Sequence, residues 1–169
     1  MLRVFSYVIV IAWVLMALLG FLVGDGANQV DLNQFLSPPN TSNLFGTDEL
    51  GRPVIERVIL GAQTSLFVAL GVVFFSAVIG TTIGVLSGYL GGWVDRVITK
   101  IIDVFLAFPG LLLAIALAAV LGPGIENVVF ALVVVGWVGY ARLARAQTLS
   151  IRHREHILAA RALAVPMPV

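Results

Sequence analysis

Apolar positions along the chain neither alternate with polar ones nor fall on a single helical stripe; they come in long blocks. Residues 4–23 carry no charge, and neither do residues 65–88. A third block, residues 101–121, is interrupted by Asp103 and Pro109. A fourth starts near Val128 and reaches Tyr140 before meeting Arg142 and Arg145. A helix crossing a hydrocarbon layer about 30 Å thick needs roughly 20 apolar residues. The fourth block is short, but arginines at a helix end reach back to the headgroups with their stems along apolar surface. The pattern disfavours barrel strands, because no block alternates. The pattern predicts an all-α polytopic membrane protein of about four transmembrane helices.

Composition agrees. Of the 169 residues, 60% are hydrophobic and 11% charged, against about 25% charged in ordinary soluble domains. One aqueous core of this size does not hide so much apolar surface, so a soluble enzyme, a disordered tail and a secreted disulfide scaffold are all excluded. The absence of cysteine removes disulfides, thiolate metal sites and thiol nucleophiles. A net charge of +1 gives no reason to expect nucleic acid. The first block follows Arg3, as a signal peptide would, but it is long for one and no small-x-small site closes it; it reads as an uncleaved helix.

Charge distribution orients the blocks. With the N-terminus in the cytoplasm, Arg3, Arg96, Lys100, Arg142, Arg145, Arg152, Arg154 and Arg161 lie inside, and only Arg52 and Arg57 outside. Asp25, Asp31, Asp48, Glu49, Glu56 and Glu126 lie outside. Basic residues favour the cytoplasmic side, so the N-terminus is expected in the cytoplasm. Residues 1–23 are then the N-terminal transmembrane helix, 24–64 an external loop with an amphipathic helix, and 65–169 a membrane domain ending in a cytoplasmic tail. Residues 91–100 form an internal turn, and Gly-Pro-Gly at 122–124 suits a tight external one. In the external loop, Thr47 or Asp48 is placed to cap a helix beginning near Glu49, with Val54, Ile55, Val58 and Ile59 on its apolar face.

Several residues stand out chemically. Gly80, Gly84 and Gly88 form a small-residue ladder at helical spacing, which lets another helix approach closely, from this chain or from a second subunit. Pro109 removes a backbone hydrogen bond inside a span and disfavours helix at Phe108. Such a break is tolerated beside packed neighbours or a water-filled path. Asp103, an acid near the cytoplasmic end of that span, is expected to pair locally with Lys100 or Arg96. The tail from Ala141 is helix-favouring and basic, either an anchor or a helix offered to a cytoplasmic partner. His153 and His156 have no third ligand nearby, and no phosphate-cradling Gly-rich loop occurs. Catalytic, cofactor-binding and metal-ligating residues are therefore expected to be none, and energy for any transport must come from elsewhere.

The strings "LFGTDELGRPVIERVILGAQTSL", "IGTTIGVLSGYLGGWVDRVITKIIDVFLAFPGLLLAIALAAVLGPG" and "VVVGWVGYARLARAQTLSIRHREHILAARALA" resemble, in family order, the permease subunits of ABC importers. The likeness is to the second (C-type) permease of the dipeptide, oligopeptide and nickel group, over about residues 40–164. It implies a pore shared with a second homologous permease subunit, two cytoplasmic ABC ATPase subunits and an external substrate-binding protein. It further implies a cytoplasmic coupling helix within residues 147–164, where Leu158, Ala159, Ala160, Arg161 and Ala164 align with the family's EAA motif and Ala159 and Ala160 fit it. Leu158 stands where the motif has Glu, and Ala164 where it has Gly. Pro109 is expected on the pore side. The family continues through two more spans, whereas here Val165-Pro166-Met167-Pro168-Val169 ends the sequence, which reads as a truncated or frameshifted product. The expected function is a permease subunit of an ATP-driven importer for peptides or related small solutes, dipeptides, nickel and glutathione all being compatible. A non-functional remnant and a membrane interaction or scaffold protein are the competing readings.

Overall fold

The computed structural model describes residues 2–152, 154 and 157. Five helices account for most of them: α1 (Leu2–Leu19), α2 (Val54–Leu90), α3 (Gly92–Leu106), α4 (Gly110–Leu121) and α5 (Ile125–Arg152). The chain forms two compact units, residues 1–69 and 70–169, with α2 carrying the backbone from one into the other.

In the first unit, α1 exposes Val4, Phe5, Val8, Ile9 and Ile11 on several sides, as a helix in lipid does. The turn that follows it meets the first half of α2: the Phe21 and Phe67 rings lie edge to face at 5.9 Å. Gly20 sits against Gln63, whose Oε1 lies 2.6 Å from where a Cβ at Gly20 would stand. The intervening loop holds two short 3-10 turns, Asp25–Asn28 and Leu32–Gln34.

Asp48 organises that loop. Its Oδ1 accepts the backbone N–H groups of Leu50 (2.8 Å) and Arg52 (3.0 Å), and its Oδ2 accepts the Arg52 and Arg57 guanidinium groups. Thr47 is buried, donates to the Gln34 carbonyl and accepts the Ser37 N–H at 2.9 Å. Gly51 adopts φ +73° directly against the Asp31 carbonyl, a place only glycine fits. Asp48 therefore closes a turn, and the helix expected near Glu49 begins instead at Val54. No break separates an amphipathic surface helix from the second span: both belong to the 37 residues of α2, more than a bilayer core takes.

In the second unit, α5 is the common partner. The C-terminal part of α2 packs on it through glycines, α3 through Ile98, Ile102 and Phe105 against Trp137, Val138 and Ala141, and α4 through Gly110 beside Val135. Most of the buried residues are small (Ser76, Ser87, Ala114, Ala131, Ala141), with Ile102, Val133 and Val138 the larger ones, while Phe74, Phe75, Leu86, Leu111 and Phe130 face outward. Lipid removes the usual reward for burying large side chains, so backbone proximity decides which residues go inside.

By length and composition α2 and α5 can each cross a membrane, and α3 with α4 makes a third candidate, bent by 84°. α1 is a shorter apolar helix of 18 residues, about 27 Å long at 1.5 Å per residue. The expected four spans thus resolve into two continuous helices, one broken pair and the shorter α1. The fourth block and the tail as far as Arg152 are one helix, since α5 runs on from Tyr140 to Arg152.

Candidate functional site

Two features of the second unit stand out as candidate sites: a polar corner where α2, α3 and α5 meet, and the break between α3 and α4. The corner begins at Gly91 and Gly92, both at positive φ (+65° and +56°), which turns the chain from α2 into α3. Asp95 then lies in the first turn of α3, where the helix dipole favours an acid. Arg145 of α5 grips it with two parallel bonds, Nε to Oδ1 at 2.5 Å and Nη2 to Oδ2 at 2.7 Å. Ser87, fully buried near the end of α2, donates its hydroxyl to the same Oδ1 at 2.6 Å. Farther along α5, Arg152 reaches the Gly88 carbonyl at the C-terminal end of α2. A forked guanidinium on a carboxylate fixes direction as well as distance, so three helix segments are registered at one point.

The glycine ladder leads into this corner. A Cβ at Gly80 would stand 2.7 Å from the Tyr140 Cβ, one at Gly84 2.9 Å from the Ala144 Cβ, and one at Gly88 2.8 Å from the Thr148 Cβ. The side of α2 bearing these three glycines lies against α5 of the same chain. Gly136 answers from the other helix, with Ser76 Oγ 2.7 Å from where its Cβ would be.

At the break, Ala107 ends α3, its N–H donating to the Asp103 carbonyl at 3.0 Å. Pro109 takes φ −61° and ψ 110° and caps α4, and its carbonyl accepts the Leu113 N–H at 3.1 Å. Without an N–H, and with helix disfavoured at the preceding residue, this is the cheapest place to leave the helix. Phe108 and Pro109 are exposed within the described residues.

Asp103 departs from expectation. It is exposed, and among the described residues it forms no ion pair with Lys100 or Arg96; Arg96 turns back to the Gly92 carbonyl instead. Among the described residues of this unit the paired acid is Asp95, eight positions earlier. Sequence reasoning missed it because its partner lies 50 residues away, a separation no helical period connects. The one linear signal was an acid beside Arg96 at the start of a basic internal turn. Leu158, Ala159, Ala160, Arg161 and Ala164, together with His153 and His156, lie outside the described residues. Of residues 147–164, positions 147–152 belong to α5.

An apolar cleft of about 580 Å³ opens between α2 and α5, lined by Phe75, Ile79, Val129, Phe130 and Val133, with Glu126 among its walls. It offers a solute almost no polar contact. Among the described residues no group of three His, Cys, Asp or Glu side chains is placed to hold a metal.

Residues 80–168, more than half of the chain, match the family model described as binding-protein-dependent transport system inner membrane component. The chain is 36% identical over 162 residues to a dipeptide transport system permease protein of Alkalihalophilus pseudofirmus, covering 95% of this chain and 53% of the relative. It is 41% identical over 161 residues to a probable D,D-dipeptide transport system permease protein of Escherichia coli K12, covering 95% and 54%. A glutathione transport system permease protein of Pectobacterium atrosepticum is 40% identical over 139 residues, covering 82% and 46%. The chain therefore spans about half the length of these curated relatives. The family match takes in Gly80, Gly84, Ser87, Gly88, Asp95, Pro109 and Arg145.

Proposed function

This chain belongs to the family of binding-protein-dependent transport system inner membrane components, and from that membership we propose that it is a permease subunit of an ATP-driven importer for peptides or related small solutes. The observation that carries the reading is the overlap of the family match with both features of the second unit. Residues 80–168 contain the polar corner, the broken α3–α4 pair and all of α5. The predominantly apolar exterior of these helices supports placement in a membrane.

In this reading the N-terminus is cytoplasmic, as the inside bias of Arg and Lys supports. The polar corner then faces the cytoplasm and Gly122-Pro123-Gly124 the outside. The exposed break at Phe108-Pro109 lies nearest the translocation path, because irregular backbone at membrane depth is tolerated where protein or water satisfies it. Residues 147–164 carry the contact with the ATPases, with Ala159, Ala160 and Arg161 in the docking motif. Small side chains there permit close approach to a groove. A second permease subunit completes the pore, and an external binding protein delivers the solute.

Co-expression tests this. The tagged chain is expected to co-purify with two ATPase subunits and a second permease, and Ala160→Glu is expected to abolish ATP-driven uptake while leaving membrane insertion intact. Failure to retain either partner, or full uptake by A160E, would refute the assignment.

A further inference from the structure

The apolar contact between α3 and α5, Ile98, Ile102 and Phe105 against Trp137, Val138 and Ala141, is non-directional. In lipid such faces hold by packing alone, with no hydrophobic drive to set their register. Arg145 and Asp95 supply what that interface lacks. Their two parallel bonds fix α3 along α5, and Ser87 ties the end of α2 to the same carboxylate. The position matters as much as the bond. The pair sits near the start of α3, and α3 ends at the break with α4, about 17 Å farther along at 1.5 Å per residue. On α5 it lies two residues before position 147, where the expected ATPase-coupling region begins.

We propose that Asp95 is a positioning residue: through its fork on Arg145 it pins α3 to the α5 stem, so that displacement of the stem arrives at the Pro109 break as movement of α3 instead of being lost as sliding between apolar faces. This rests on the importer reading above. Arg152 on the Gly88 carbonyl extends the same coupling to the end of α2, so stem, corner and α3 move as one body. α4 is held on the first half of the same α5, by Gly110 beside Val135 and by Asn127 on the Leu121 carbonyl. That body therefore turns against α4 by a bend of α5 near Gly136, and the break, where helical hydrogen bonding is already interrupted, absorbs the change.

Two distances in the assembled importer, in nanodiscs with and without bound ATP, test this. The chain has no cysteine, so spin labels are introduced singly where wanted. One pair, at the exposed Lys100 and Leu143, reads α3 against α5; the other, at Lys100 and Leu121, reads across the break. In the otherwise wild-type chain, ATP is expected to leave the first distance unchanged and to shift the second by more than about 2 Å, the scale of helix shifts in switching proteins. Asp95→Asn is expected to reverse this, with the first distance changing and the second not, and D95R/R145D to restore the wild-type behaviour in part. Arg145→Lys keeps the charge, loses the fork and gives an intermediate result in a gentler background. Wild-type behaviour in D95N and R145K overturns the inference while leaving the importer reading intact. So does failure of both variants to assemble, which would make the pair a folding element only. Failure of the unsubstituted chain to assemble with the ATPases overturns the importer reading and this inference with it.

Discussion

Arg145 on α5 and Asp95 on α3 are joined by two parallel hydrogen bonds across 50 residues of sequence, at a point where the Ser87 hydroxyl of α2 closes on the same carboxylate. Both side chains are partly buried, at 27% and 18% exposure. That places the pair between an exposed ion pair and a sealed one.

Removing one partner strands the other beside apolar surface. Arg145→Ala is expected to cost about 1–2 kcal/mol, above the sub-kilocalorie worth of exposed pairs and below the loss on breaking a fully buried one. The double variant D95N/R145A should cost less than the two single losses added together, because the second substitution removes a charge already orphaned. Thermal unfolding in detergent micelles reads this; strictly additive losses would show that the two residues are energetically independent.

Gly84 and Gly139 both lie inside helices, yet their surroundings differ. A side chain at Gly84 meets the Ala141 carbonyl and the Ala144 Cβ, whereas a Cβ at Gly139 meets nothing within 4 Å. Gly84→Leu is expected to force α2 away from α5 and destabilise by about 1–3 kcal/mol or more. Gly139→Ala should be neutral or slightly stabilising, since alanine favours helix by up to about 1 kcal/mol. Unfolding midpoints of the two variants check the contrast, and equal effects would remove the close α2–α5 approach as its cause.

Pro109→Ala restores an N–H, yet the bend is expected to survive. Straightening would pull α4 off α5, undoing the Gly110–Val135 approach, or α3 off Trp137 and Val138. From the helix lengths and the 84° angle, the span from Trp93 to Leu121 is about 31 Å bent and about 42 Å straight at 1.5 Å per residue. Spin labels at these two exposed positions should report a value near the shorter figure in P109A. A distance near the longer one would mean proline alone makes the break.

Asp48 sets a pH dependence in the loop. The Arg52 guanidinium, then the backbone N–H groups of Arg52 and Leu50 and the Arg57 guanidinium, hold its carboxyl well below the usual range against a smaller opposing effect of burial. A depressed folded value means the turn is fully stabilised at neutral pH. That stabilisation begins to fall only below the unfolded value of about 3.9, and it is lost as the folded carboxyl itself protonates. Amide exchange at Leu50 and Arg52, normalised to intrinsic rates, should therefore be flat from neutral pH to about 4 and rise below. Asp48→Asn should raise exchange at neutral pH and flatten the acid response. Protection that strengthens on acidification would contradict the assignment.

Much of the architecture was legible in the linear pattern, for a reason specific to lipid. Backbone hydrogen bonds must be made within a span, so apolar block length alone announces the helices, and Pro109 and Gly122-Pro123-Gly124 announce where helices stop. Residue chemistry also pointed to Gly80, Gly84 and Gly88 as a surface of close approach. Tertiary structure decided what they approach, α5 of the same chain, because a bare helix face carries no label for its partner. It decided that Val54 opens one continuous α2, since Asp48 had stronger uses in closing a turn onto Arg52 and Arg57. It also decided that Asp95, and not Asp103, is the paired acid. Asp103 has basic neighbours at plausible spacing, but Asp95 alone lies where the end of α2, the start of α3 and Arg145 of α5 converge. An ion pair depends on three-dimensional distance and direction, and 50 residues of intervening chain leave both undetermined until the helices have packed.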